Sequence, residues 1–313
     1  MDITLDKACE LLENGKVVAI PTETVYGLAA SLSHSEAIEQ IFALKGRPSK
    51  NPLIVHVADI SQVSYYSREI PQDFDKLARA FWPGPLTMVI PSEPQWVPTT
   101  VRAGLPTVAF RIPSHPLTLQ VLNRVGPLVM PSANLSGKPS ATRPEHVEVD
   151  FGEDFPVLNG GNSLRGLEST ILFHRKDKWE ICRLGALTPE AFTPILGYEP
   201  AFFVNVDQNA PVSPGQLLRH YAPKTKLMLS HAIPKEGMGT LIGFSDRHYP
   251  GGYRVLPLGP VEEPEKIAEN LYSVLRQLDE EDIKTAWVDM NFPREGLWRT
   301  VAERLQTASA DQQ

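Results

Sequence analysis

Apolar residues recur along this chain at two different spacings, and the alternation between them predicts its elements. LDKACELLENG, ending at Gly15, places apolar residues three and four apart and stops at a glycine, which predicts a helix. KVVAI follows as a short continuous apolar run, as a buried strand would read. SEAIEQIFALKG returns to helical spacing, with Ser33 and Glu36 placed as a capping box at its start. PLIVHV, PLTMVI, TVAFRI and PLVM read as strands, and FDKLARAFW and HPLTLQVLNRVG as helices. STILF and WEICRL form a hairpin or two adjacent strands, before a short helix near TPEAFTPILG. The pattern predicts an α/β domain with a mixed sheet over residues 1–204. A polar, proline-rich stretch at 205–225 reads as an interdomain linker. A smaller α/β unit follows over 226–313. Its strands are KLMLS, TLIGFS, YRVLPL and TAWVDM, its helices EPEKIAENLYSVLRQL and GLWRTVAERLQ, and its tail TASADQQ is expected to fray.

The 313-residue length fits two domains, and a net charge of -7 argues against a chain whose main task is gripping nucleic acid, though not against a local basic groove. No apolar run approaches the ~18 residues of a membrane span. The N-terminus lacks a basic segment followed by an apolar one, so it does not read as a signal peptide. Cys9 and Cys182 make neither a disulfide framework nor a C-x-x-C pair, which points to a reducing cytoplasm. The 29 prolines are dispersed and read as punctuation of many loops.

Familiar catalytic motifs fail. SGKPS resembles the end of a Walker A loop, but Ser132 stands where that loop needs glycine, and a proline follows the lysine. There is no G-x-G-x-x-G, no H-E-x-x-H and no compact Ser/His/Asp signature. Chemistry here would rest on positioning and charge.

Four stretches at strand–loop junctions carry the polar groups. PTETVYGLAA offers two threonine hydroxyls, a tyrosine and Gly27, where backbone can approach a ligand. KGRPSKNPLIVH supplies cations. TVAFRIPSHP puts Thr107 and Arg111 on one strand face. PSANLSGKPSATRPEH supplies small hydroxyl and amide groups of the kind that cradle anions. Taken singly, Thr22 and Thr24 are equally well turn residues, His56 reads first as a core histidine, and Arg111 needs an anion that is either a structural carboxylate or a ligand.

Together these stretches resemble the YrdC-domain family, and within it the two-domain threonylcarbamoyl-AMP synthases. The matching pieces are PTETVYGL, KGRPSKNPLIVH, FWPGPLT, VAFRIPSHP, PSANLSG, ESTIL and ICRLGAL, followed by a linker-like SPGQLLRHYAPKTKL, in order over residues 3–225. The last ninety or so residues match only in position and α/β character. The linker departs from the family pattern at Gln216, Leu217 and Leu218. The resemblance implies a YrdC-like twisted mixed sheet with flanking helices, plus a small Rossmann-like C-terminal domain. It implies condensation of L-threonine, bicarbonate or CO2 and ATP to threonylcarbamoyl-AMP and pyrophosphate, a nucleotidyltransferase reaction using Mg2+ with ATP. Downstream threonylcarbamoyl-transferase proteins would then modify tRNA, with at most weak direct tRNA contact. An RNA-binding module with a basic concave face and no turnover is the alternative.

On this resemblance Lys45, Arg47 and Lys50 are the candidates for a catalytic triphosphate clamp. Arg47 and Asn51 are assigned to ATP, with Thr107, Asn134, Thr142 and Arg183 on the nucleotide side. His220 and Tyr221 would fold over ATP as a lid. Thr24, His56, Arg111, Ser132 and Ser169 would surround threonine, with Arg111 facing its carboxylate. No metal-ligand set is assigned.

Overall fold

The computed structural model describes residues 1–67, 69–93, 95–204, 220–234 and 238–310. Most of the linker, 205–219, including Gln216–Leu218, lies outside them.

The first sheet has ten strands and mixed direction, as the alternating pattern predicts. Across the sheet they run Asp2–Ile3, Val157–Leu158, Val18–Ile20, Gly27–Ser31, Leu128–Val129, Ile54–His56, Thr107–Arg111, Leu86–Pro91, Thr170–Arg175 and Lys178–Arg183. The last two form the expected antiparallel hairpin.

Strand periodicity divides each strand between two faces. Ala19, Leu28, Val55, Val108, Phe110, Met88 and Leu172 enter the larger core. Near the N-terminus the other face is also covered: Val18, Ile20 and Ala29 pack with Cys9 and Leu12 of helix Leu5–Glu13 and with Leu122 of helix Pro116–Val125. Further along the sheet, the alternation sends Ile54, His56, Arg111 and Thr87 to the side away from the larger core. This half of the sheet face becomes the floor of a cleft.

The second sheet is all parallel, in the order Lys226–Ser230, Thr285–Asp289, Gly239–Gly243, Tyr253–Pro257. Helices Pro264–Glu280 and Leu297–Ser309 bury Leu271, Leu275, Val301 and Leu305 against it. The same helices turn other residues toward the first domain. Arg276 donates to Asp150 (2.7 Å) and to the Pro139 carbonyl (2.7 Å). Thr300 donates to the Gly185 carbonyl at 3.0 Å. Gly166, at φ +66°, lies so close to this second domain that a Cβ there would stand 2.8 Å from the Ala268 carbonyl carbon and nearer still to its oxygen.

Four expectations change. The capping box does not form: His34 is the N-cap, without a side-chain bond, and the Ser33 hydroxyl pairs with Ser31 at 2.8 Å. The end of PTETVYGLAA is a strand, Gly27–Ser31, antiparallel to Val18–Ile20. A helix, Pro144–Phe151, emerges from the polar loop after Met130. The last helix continues through Thr307 to Ser309, into the tail expected to fray.

Candidate active site

The cleft encloses roughly 660 Å³ of space including its mouth. Its floor is the sheet face just described, and its rim is loop.

At one end stand His56, Arg111 and Thr24, and Ser169 lies between them and Arg183, which donates to its hydroxyl at 3.3 Å; His56, Arg111, Thr24 and Ser169 are all buried. His56 Nδ1 meets the Ile54 carbonyl at 3.2 Å, which fixes Nδ1 as the protonated nitrogen and leaves Nε2 as an acceptor. Burial, and then the Arg111 charge, hold its pKa well below the usual histidine range, so the ring is neutral. Arg111 Nε donates to the Gly84 carbonyl (3.2 Å) and Nη2 to Glu23 (2.6 Å). Glu23 is thus the structural carboxylate, and its second oxygen accepts from the Ser114 amide at 3.1 Å. The Thr24 hydroxyl lies 2.8 Å from that of Thr22, which also donates to the Val25 carbonyl (2.6 Å), so the threonine pair shapes a turn while Thr24 lines the cleft. Ser169 shares a 2.7 Å bond with Thr87.

At the other end Arg47 and Arg183 both line the cleft, near enough for the Arg183 charge to act on Arg47. Arg47 Nη2 donates to the Pro52 carbonyl (2.8 Å), and Arg183 Nη2 to the Ser169 carbonyl (2.8 Å). Burial and the neighbouring Arg183 bring the Arg47 pKa down to about 9, which still leaves it charged at neutral pH. Beside them several buried polar atoms have no partner: Arg183 Nε, His220 Nε2 and Asn134 Oδ1. Buried polar atoms are nearly always paired, so a cluster of open ones around a cavity marks where a ligand's own groups belong. His220, brought down to about 4 by burial and then by Arg47, is neutral. Tyr221 adopts a left-handed conformation (φ 64°). It stacks on Tyr272 with ring centroids 5.4 Å apart, and the Arg304 guanidinium lies 4.6 Å from its ring centre.

Of the anticipated residues, Arg47, Asn134, Arg183, His220, Tyr221, Thr24, His56, Arg111, Ser132 and Ser169 line this one cleft. Asn51, Thr107 and Thr142 do not. Asn51 gives its carbonyl to Arg47 Nε (3.3 Å), Thr107 sits at the far end of its strand opposite Pro91, and the Thr142 hydroxyl faces Ser273 of the second domain (3.2 Å). The three-cation clamp also differs. Lys45 is buried, and its ammonium donates to the Ser132 and Asn134 carbonyls (2.5 and 2.6 Å). Burial, then the Arg47 charge, hold its pKa well below the usual lysine range. Lys50 is exposed and outside the lining. Lys45 therefore shapes the rim that carries Ser132 and Asn134, and Arg47 alone of the three faces the cleft.

Sequence reasoning missed Lys138, Ser140 and Glu168, which also line it. Glu168 is the notable omission, though it stands beside Ser169 in the matched piece ESTIL. It accepts from Ser140 (2.6 Å), Tyr272 (2.9 Å) and Arg304 (3.1 Å). Burial pushes its pKa up, but Arg304, Arg183 and the Ser140 hydroxyl outweigh this, and it stays below the usual carboxylate value. Lys138 is paired with Asp150 at 2.9 Å.

Comparison with known proteins adds a family to this geometry. Residues 10–185 match the Sua5/YciO/YrdC family, described as telomere recombination, and residues 187–310 match the threonylcarbamoyl-AMP synthase C-terminal domain. The chain is 38% identical to the threonylcarbamoyl-AMP synthase of Bacillus subtilis, covering 98% of this chain and 93% of that one. It is 35% identical to that of Pyrococcus abyssi, over 96% and 93%. The solved structure of P. abyssi Sua5 complexed with L-threonine superposes with a TM-score of 0.88 at 33% identity, covering 98% of this chain and 94% of that one. With both halves matched in order and relatives aligned over nearly their whole length, the chain belongs to the threonylcarbamoyl-AMP synthase family, built from a Sua5/YrdC domain and its C-terminal companion.

Proposed function

We propose that the cleft condenses L-threonine, bicarbonate or CO2 and ATP into threonylcarbamoyl-AMP and pyrophosphate, as a cytoplasmic nucleotidyltransferase supplying the threonylcarbamoyl group for tRNA modification. The observation that carries this reading is the Arg47–Arg183 pair, whose open donors face a cavity that also holds a neutral histidine and Arg111. Two guanidiniums lining one cleft, near enough for one charge to act on the other, call for a polyanion there. ATP's phosphates fit that end, beside Asn134, His220 and Tyr221. An amino acid fits the other.

The threonine carboxylate would lie against Arg111. Its Nε and Nη2 are already bonded, while Nη1 has no hydrogen bond to a described residue. His56 Nε2, Thr24 and Ser169 offer acceptors and hydroxyls for the ammonium and side-chain hydroxyl. The amine, once deprotonated, takes up CO2 to give a carbamate, releasing a proton to water. A carbamate oxygen then attacks the α-phosphorus as the bond to the β-phosphate bridge breaks, and pyrophosphate leaves with that electron pair. The nucleophile is already anionic, so no strong protein base is required. What the chain must supply is relief of anion–anion repulsion, through Arg47 and Arg183, and orientation. Among the described residues no three His, Cys, Asp or Glu side chains could hold a metal. In this reading Mg2+ enters with ATP as the MgATP substrate, and no step is assigned to a protein-bound ion. No helix among the described residues is long and apolar enough to cross a membrane.

Purified protein given MgATP, L-threonine and bicarbonate should release pyrophosphate, with release abolished when threonine or bicarbonate is omitted. Equal release without either would refute the assignment. Salt-sensitive RNA binding with no ATP turnover would favour the RNA-binding alternative instead.

A further inference from the structure

Glu168 is an anomaly in a cleft read as binding a polyanion. It is a buried carboxylate on the cleft wall, close enough to Arg183 to feel its charge. Left alone it would repel phosphate and draw Arg183 toward itself. Its bonds run the other way. One oxygen takes the Ser140 hydroxyl, and the other takes Tyr272 and Arg304, both from the second domain and both fully buried. Arg304 is fixed further by the Leu184 carbonyl at 2.7 Å and by Glu303. Its guanidinium also covers the ring of Tyr221, itself a lining residue.

We propose that Arg304, across the domain boundary and outside the cleft, is a positioning residue for the nucleotide: by neutralising Glu168 it leaves Arg183 free to join Arg47 at the phosphates, and by capping Tyr221 it holds the cleft wall. The proposal rests on the nucleotide reading above. It gives the C-terminal domain a defined task at the nucleotide end, which is to supply the counter-charge that the first domain lacks. A merely structural arginine would affect ATP and threonine alike. A charge-setting arginine affects ATP selectively.

ATP and threonine affinities are measured by calorimetry on the full chain, for the unaltered protein and for R304M, E168Q and the double variant E168Q/R304M. R304M should weaken ATP by about ten- to a hundredfold, as expected for an uncompensated charge several ångströms from a phosphate, with threonine changed less than about threefold. Removing the carboxylate as well should recover most of the lost ATP affinity. E168Q alone, which keeps Arg304 and one acceptor oxygen for it and Tyr272 while its amide N–H can donate to the Ser140 hydroxyl, should bind ATP at least as tightly as the unaltered protein. It decides the matter if R304M fails to fold: a loss beyond about fivefold in E168Q overturns the proposal. Equal ATP affinity in R304M and the unaltered protein, or no recovery in the double variant, also overturns it. If the unaltered protein binds no ATP, the nucleotide reading itself fails and takes the proposal with it.

Discussion

Replacing Gly166 with alanine tests how closely the two domains are pressed together. Its φ of +66° alone costs an alanine about 1–2 kcal/mol. The added methyl would also meet backbone of Ala268 and Glu269, which cannot rotate away. To restore ordinary van der Waals contact, helix Pro264–Glu280 must retreat by about 1 Å. Across this joint run Tyr272 to Glu168 (2.9 Å), Arg304 to Glu168 (3.1 Å), Thr300 to Gly185 (3.0 Å) and Arg276 to Asp150 (2.7 Å). A 1 Å retreat stretches such bonds beyond useful range. Losing one charged, buried hydrogen bond costs about 1.5–3 kcal/mol. Together with the backbone strain, Gly166→Ala should cost about 2.5–5 kcal/mol and lower Tm by roughly 5–20 °C in differential scanning calorimetry. Gly161→Ala is the control: φ is +74°, but nothing lies within 4 Å of its Cβ, so only the strain applies. Equal melting shifts for the two variants would refute the close joint and the retreat derived from it.

Arg47→Ala should leave Tm within about 2 °C, since lost carbonyl bonds are offset by relief from Arg183, yet slow pyrophosphate release ten- to a hundredfold, at ~1.4 kcal/mol per tenfold; a large Tm loss with normal turnover would make Arg47 structural. Lys45 and Lys50 should separate cleanly. Lys45→Met strands the buried Asn134 carbonyl and the half-buried Ser132 carbonyl and should cost about 2–4 kcal/mol in urea unfolding, whereas Lys50→Ala should alter neither stability nor turnover by more than about threefold; the reverse order would contradict their placement. Acid should destabilise the fold through His146, whose ring accepts from the Thr142 amide at 3.1 Å and is brought down to about 3 by burial and then by Arg276. Its folded pKa lies below its unfolded value of ~6.5, so its contribution is whole above that pH and lost as pH falls toward 3, at up to about 1.4 kcal/mol per unit. His146→Asn, which keeps an acceptor but cannot titrate, should flatten that slope between pH 6 and 4, and an unchanged slope would place the acid sensitivity elsewhere.

Most of the fold was legible because periodicity reports burial directly, and most elements here are buried on a regular face. Gly27–Ser31 escaped because GLAAS has no β-branched or aromatic residue. Its strand character comes from neighbours on both sides, Val18–Ile20 and Leu128–Val129. Helix Pro144–Phe151 hid behind a polar, proline-led start. At the site, motif pieces brought ten lining residues together but could not sort the cations. Lys45 and Arg47 are two residues apart, yet Lys45 closes the buried end of helix Ser35–Lys45 beneath the Ser132–Asn134 turn, a partner 87 residues away that spacing cannot show. Arg276 and Arg304 carried no signal in the sequence: they lie on amphipathic helices of the second domain, and their partners Asp150 and Glu168 belong to the first domain, 126 and 136 positions away.

The distance along the chain between Glu168 and its partner Arg304 has a consequence for synthesis. A chain growing at about 5–20 residues per second exposes the carboxylate roughly 7–27 s before the arginine 136 positions later is made. Once Arg183 has been made, early in that interval, the first domain can pair its strands up to Lys178–Arg183, since both members of every pair in its sheet have then been translated. Its cleft then carries an unmatched negative charge. The electrostatic character of the cleft is therefore among the last properties the nascent chain acquires, and a ribosome stalled anywhere in the second domain would hold a folded but charge-incomplete catalytic unit.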